Sequence, residues 1–189
     1  MSAFPLKINH LSNLQDARVC AAAGISYVSF ALGRGLLAKI PEKTMADIRG
    51  WLSGPTPILD FGENLEGADQ WLAEHSDDEA PLLQIHHQPT DPIPLSIPTD
   101  RLVLHRVLDD TAPAEQLSDV PAILGQCAYL ELRCEAWNPT AHEAIMPLLR
   151  EHAGRLFLDG DTLGLAGIRE LPKAPAAIAL RALVVNLAR

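Results

Sequence analysis

Short apolar runs alternate along this chain with longer segments of helical period. Parallel strands need crossover connections of a dozen or more residues, usually helices, so this alternation predicts an α/β fold with a parallel sheet. The first run is Phe4 to Ile8. Ser12-Asn13-Leu14-Gln15-Asp16 then reads as a helix N-cap with Gln15 at the capping-box position, and a small-residue helix follows to Ala23, ended by Gly24. Ile25 to Leu32 reads as the second strand. Pro41-Glu42 opens a helix with Met45, Ile48 and Leu52 on one face, and Gly54-Pro55 ends it.

The pattern repeats downstream. Pro57 to Phe61, Pro81 to His86, Arg101 to Val107, Tyr129 to Cys134 and Arg155 to Leu158 are strand-like, and an eighth strand is expected within Ala176 to Val185. Helices are expected over Leu65 to Glu74, Ala114 to Leu117, Thr140 to His152 and Leu163 to Leu171. Pro147 should kink or shorten the third of these. Gln88 to Pro98 holds four prolines and is read as loop. The count of units predicts a small (βα)8 barrel of the TIM type, with residues 1–189 forming one domain. The chain is short for that architecture, which typically uses about 250 residues. Too little chain follows the last strand for a full closing helix.

Composition narrows the function classes. Hydrophobic residues make up 48%, enough for a sizeable core without disulfides. The formal net charge is -9, with only 15 Lys plus Arg, so no basic footprint for nucleic acid or an anionic membrane surface is expected. No apolar stretch approaches the roughly 20 residues of a membrane span. The opening MSAFPLKINH lacks a secretory pattern, and Cys20, Cys127 and Cys134 form no metal-ligand or CxxC spacing. A reducing, cytoplasmic setting is the expectation, with no cofactor.

Several segments carry a family likeness. Lys7-Ile8-Asn9-His10-Leu11-Ser12 through Asp16-Ala17 to Ala23-Gly24, Ile40-Pro41-Glu42, Gln84-Ile85-His86 and Arg106-Val107 occur in an order that resembles phosphoribosylanthranilate isomerase. That resemblance implies a (βα)8 barrel and, for an active member, an intramolecular aldose–ketose isomerisation of a sugar phosphate, an Amadori rearrangement in tryptophan biosynthesis. It also implies a cysteine base at the position held here by Asn9, and an aspartic acid at the end of the sixth strand, where Arg133 or Cys134 falls. A carboxamide has no usable basic lone pair near neutral pH, and a guanidinium does not give up its proton there. The resemblance further implies glycine-rich phosphate turns after strands six, seven and eight. Here only Gly160 of Asp159-Gly160-Asp161 survives as such a turn, flanked by two carboxylates, and Ala38 stands near the position of an anthranilate-binding arginine.

The sequence therefore predicts a degenerate relative that binds a small, unidentified ligand, phosphorylated or not, without the isomerase chemistry. The first alternative is an active isomerase with Asp159 or His86 as base and Glu135 as acid. The second is a non-catalytic oligomeric scaffold, such as a homodimer, marked by exposed Trp51, Trp71 or Trp137 on one face. The candidate catalytic positions are Lys7, Asn9, His86, Glu135 and Asp159, and the candidate ligand or phosphate contacts are Arg34, Arg106, Arg133 and Gly160. Lys7 reads equally as a site residue or as an interior lysine paired with a carboxylate. A carboxylate and histidine metal site drawn from Asn9, His10, Asp60, Glu63, His86, His87, Glu135, Asp159 and Asp161 is the weaker reading, because none of these shows a tight ligand spacing. Cys20 and Cys134 read as buried apolar side chains.

Overall fold

A computed structural model describes residues 5–33, 36, 39–75, 81–89, 91–109, 111, 113–161, 175 and 177–181. Eight parallel strands close on themselves in sequence order. They are β1 (Leu6–Asn9), β2 (Tyr27–Ala31), β3 (Thr56–Asp60), β4 (Leu82–His86), β5 (Leu102–Leu108), β6 (Tyr129–Cys134), β7 (Leu156–Asp159) and β8 (Ala177–Arg181). The ring is completed by β8 against β1, where Ile178 pairs with Leu6 and Arg181 with Asn9. The helices are α1 (Leu14–Ala22), α2 (Glu42–Trp51), α3 (Leu65–Glu74), α4 (Pro113–Gln116), α5 (Val120–Leu124) and α6 (Pro139–His152).

The expected eighth strand is present, at Ala177–Arg181. The helix expected over Leu163 to Leu171 lies outside the described residues, as does any closing helix. Part of the shortness of the chain has a local cause. Among the described residues no helix joins β4 to β5; the proline-rich stretch crosses instead, anchored by the buried Ile97. The short α5 was not expected from the sequence; its Val120, Ile123 and Leu124 are buried.

Local chemistry sets the helix ends. Asn13, not Ser12, caps α1: its Oδ1 accepts the Asp16 N–H at 2.9 Å, and its amide donates to the Asp16 carboxylate at 2.7 Å. Asp16 thereby takes the third helical position expected for Gln15, one residue later, and its charge also suits the positive end of the helix. Asn138 caps α6 in the same way, followed by Pro139 at the first helical position. Pro147 does not shorten α6. The hydrogen bond it removes is offset by the burial of Ile145, Met146 and Leu149 on the face against the barrel.

Two apolar cores result from the period-two alternation of the strands. The larger lies between the outward strand faces and the helices, and takes in Val28, Phe30, Leu59, Leu83, Leu104, Leu132 and Leu158 with Met45, Trp71 and Leu149. Cys20, Cys127 and Cys134 are all buried. The smaller core fills the barrel floor with Ile58, Leu82, Val103 and Phe157, packed by Tyr27 and Tyr129. The Tyr129 ring stacks on Phe157 at 4.6 Å between centroids, and Tyr27 tilts against it at 5.0 Å.

Candidate active site at the barrel mouth

Above the aromatic floor the interior turns polar. Each strand contributes one inward residue per two positions, so Lys7 of β1, Ser29 of β2, Gln84 of β4, His105 of β5 and Glu131 of β6 enter the middle of the barrel. All five are buried. Lys7 Nζ pairs with the Glu131 carboxylate and donates to Gln84 Oε1 at 2.6 Å, with its charge 5.5 Å from the Phe157 ring centroid. Burial opposes ionisation of Glu131, but the Lys7 charge and hydrogen bond, with His105, outweigh it and hold the carboxyl below the usual range. Lys7 is thus the interior lysine paired with a carboxylate.

The mouth sits one layer higher, at the carboxyl ends of the strands, where barrel enzymes place their chemistry. Asp60, at the end of β3, is 1% exposed and uses both oxygens. Its Oδ1 accepts the Gly62 N–H at 2.9 Å, and its Oδ2 accepts Gln84 Nε2 at 3.1 Å and faces His10 Nε2 at 3.0 Å. His86 Nε2 lies 3.7 Å from Oδ1. Burial raises the Asp60 carboxyl, yet the His10 hydrogen bond, His86, the Gly62 amide and Lys7 together bring it below the ordinary value. The His86 ring packs on His105 at 4.5 Å. His105 Nδ1 has no hydrogen-bond partner among the described residues, and burial pushes this imidazole down to about 4, so it stays neutral at physiological pH.

Asn9 ends β1 at the mouth. Its Nδ2 donates to Glu131 Oε1 and its Oδ1 accepts from Ser29 Oγ, each at 3.3 Å. Arg133 is the inward residue near the end of β6, while Cys134 turns outward into the helix-facing core. Arg133 Nε lies 3.4 Å from Asp159 Oδ2 on β7. The Asp159 carboxyl is raised, first by burial, then by Asp161 and Glu131, against the pull of the Asp161 amide and Arg133.

Other candidates land elsewhere. Arg106 is fully buried on the outward face of β5, because inward and outward positions alternate and His105 takes the interior. Its guanidinium holds Asp119 at 2.6 and 3.1 Å, the Gln116 carbonyl at 2.7 Å and His87 Nδ1 at 3.1 Å. It therefore braces α4 and the start of α5 and does not face the mouth, and His87 is turned away with it. Glu135 is exposed beyond the inward positions of β6. Gly160 is buried directly after β7. Arg34 and Ala38 lie outside the described residues. Among the described residues no group of three or more His, Cys, Asp or Glu is arranged to hold a metal ion. Trp71 is buried, Trp137 is half-buried, and Trp51 is exposed beneath the Arg18 guanidinium at 4.6 Å, so the three do not form one exposed face. No helix among the described residues is long and apolar enough to cross a membrane.

Sequence reasoning passed over His105 and Glu131. The available signal was a polar residue between aliphatic neighbours in a strand, Leu104-His105 and Leu130-Glu131-Leu132, which alternation places on the face opposite the leucines.

No family model matches the sequence, and no curated protein matches it. Solved structures do. Phosphoribosylanthranilate isomerase from Thermotoga maritima superposes with a TM-score of 0.69 at 16% identity, covering 95% of this chain and 88% of that one. The enzyme from Thermus thermophilus gives 0.60 at 18%, over 94% and 86%. A 2,3-dimethylmalate lyase of the PEP mutase/isocitrate lyase superfamily gives 0.58 at 12%, over 96% and 77%. At these identities the likeness is one of architecture: over about 95% of its length, this chain is a (βα)8 barrel built like the phosphoribosylanthranilate isomerases.

Proposed function

We propose that this barrel binds a small anionic ligand at its mouth and lacks the thiol-base and carboxylic-acid isomerisation implied by its family resemblance. One observation carries the reading. The inward positions that would hold the base and the acid are Asn9 and Arg133, and neither group exchanges a proton near neutral pH. Asn9 is further committed to Glu131 and Ser29. Arg133 is 38% exposed at the mouth, with its Nε 3.4 Å from Asp159 Oδ2, and a guanidinium in that place suits a carboxylate or phosphate.

A specific observation favours a second reading. The raised Asp159 carboxyl is a better proton carrier near neutral pH than an ordinary aspartate, as an isomerase with substituted groups would need. Glu135, the acid that reading requires, is exposed beyond the strand's inward positions.

The test is direct. Purified protein mixed with phosphoribosylanthranilate should show no conversion above the blank. One similar structure holds reduced 1-(o-carboxyphenylamino)-1-deoxyribulose 5-phosphate. That compound serves here as a calorimetric probe, and its binding should weaken at least tenfold in Arg133→Ala. Turnover abolished by Asp159→Asn would establish the second reading instead.

A further inference from the structure

His10 follows β1 with φ at 60°, in the left-handed region. A non-glycine residue is uncommon there, though histidine enters that region more readily than most, and such outliers gather at functional sites. The conformation has two local consequences. The His10 N–H donates to Ser29 Oγ at 3.0 Å, and the ring swings over the barrel mouth to bring Nε2 within 3.0 Å of Asp60 Oδ2.

The partner is prepared for this contact. Lys7 has only donors, so its bond to Gln84 Oε1 fixes which way that amide points. Gln84 Nε2 is thereby aimed at Asp60 Oδ2, while the Gly62 N–H secures Oδ1. A buried ion pair, a glutamine and a carboxylate thus stand in line behind the partly exposed His10, with His86 Nε2 3.7 Å from the other Asp60 oxygen. An ionised carboxylate only accepts hydrogen bonds, so the imidazole nitrogen facing it carries the hydrogen. In the neutral ring the lone pair is then left on Nδ1. The His10 side chain is 28% exposed, so the ring meets solvent at the mouth.

We propose that His10 and Asp60 form an acid/base dyad at the barrel mouth, with His10 Nδ1 taking a proton from carbon next to the carbonyl of a small anionic ligand. This rests on the anionic-ligand reading above. In the step the C–H bond breaks, its electron pair moves toward the carbonyl oxygen, and a new N–H bond forms on Nδ1. The imidazolium keeps its Nε2–H on the Asp60 carboxylate and returns the Nδ1 proton when carbon is reprotonated. Gln84 and Lys7 are positioning residues: they aim the carboxylate and touch no ligand.

Long-range NMR of the imidazole nitrogens tests the dyad without any ligand. His10 should be a single Nε2–H tautomer in the wild type and a mixture in Asp60→Asn; an Nδ1–H tautomer in the wild type overturns the proposal. Deuterium wash-in from deuterium oxide into dihydroxyacetone phosphate tests the chemistry. The wild type should exchange the carbon-bound proton, and His10→Gln should slow it about a hundredfold or more while the compound still binds. Because His10 lies partly exposed, that variant leaves the core intact. Bound compound with no wash-in, or wash-in unchanged in His10→Gln, overturns the dyad. Failure of dihydroxyacetone phosphate and the reduced analogue to bind overturns the anionic-ligand reading instead, and the tautomer then decides the dyad alone.

Discussion

Lys7 and Glu131 are 124 positions apart in the chain and form an ion pair sealed inside the barrel, between an aromatic floor and a histidine-lined mouth. Taking two charges out of water is costly, and only their mutual attraction and extra hydrogen bonds offset it. Lys7 adds Gln84 and the Phe157 ring, and Glu131 adds Asn9. Lys7→Met and Glu131→Gln should each destabilise the fold by about 3–5 kcal/mol, because each strands a buried charge. The double variant Lys7→Met/Glu131→Gln should lose less than the sum of the two. Urea titrations of all four proteins check this, and strictly additive losses would show that the pair is not coupled.

His105 makes the barrel acid-sensitive in a defined window. Its folded value, lowered from 6.5 to about 4, means that the unfolded chain binds the proton first as pH falls. Stability is therefore retained above the unfolded value and is lost as pH drops toward the folded one. Between about pH 7 and pH 5 this group accounts for a loss of about 2 kcal/mol. Glu131 and Asp60, both held low, add their losses at still lower pH, as it falls through their folded values. His105→Gln should flatten the wild-type curve between pH 7 and 5, read by denaturant midpoints at each pH. Parallel curves for the two proteins would refute it.

Asp159 works in the opposite sense. Its carboxyl is raised in the folded state, so its ionisation at neutral pH costs stability, and that cost vanishes below the unfolded value. Asp159→Asn should be as stable as the wild type or more stable at pH 7, with the difference shrinking at acid pH. A thermal melt that falls clearly at pH 7 would mean that the Arg133 contact outweighs the burial of the charge.

Arg106 is a brace for the helices outside β5. Arg106→Met leaves the Asp119 carboxylate and the Gln116 carbonyl without their shared donor. Because Asp119 is partly open to solvent, the expected cost is about 1–3 kcal/mol, the scale for hydrogen bonds lost at a charged group and a buried carbonyl. Hydrogen exchange should accelerate over residues 113–124 more than over β1 to β3. Uniform acceleration would point to global destabilisation alone.

Gly33 follows β2 where the chain passes close to the end of β3. A Cβ there would fall 2.0 Å from the Phe61 carbonyl oxygen, which is backbone and cannot rotate away. Gly33→Ala should destabilise by about 1–3 kcal/mol through forced displacement of one segment. The displacement should also disturb the neighbouring Asp60, seen as an altered His10 tautomer signal. An unchanged denaturation midpoint would show that the two segments separate freely.

Much of the architecture was legible because it is local. Strand runs, helix starts such as Pro41-Glu42, and the proline tract after β4 are written in neighbouring residues, and the barrel order follows from parallel strands needing crossovers. Inward and outward faces were legible in principle for the same reason, since alternation separates His105 from Arg106. Arg106 was nonetheless read as a ligand contact, because a polar residue at a strand's end looks alike from sequence whichever way it faces.

Only closure of the sheet decided the site. Lys7, Asp60, Gln84 and Glu131 come from four strands, and nothing in their sequence neighbourhoods names one another as partners. Their meeting depends on the register between strands, fixed by hydrogen bonding around the whole ring, with β8 returning to β1. The sequence alone established which residue types end the strands: Asn9 after the first, and Arg133 or Cys134 at the sixth, where the family resemblance implies a cysteine base and an aspartic acid. The left-handed turn at His10 and the convergence on Asp60 belong to the tertiary structure, because distances between strand ends are set by the barrel and by no local preference of the chain.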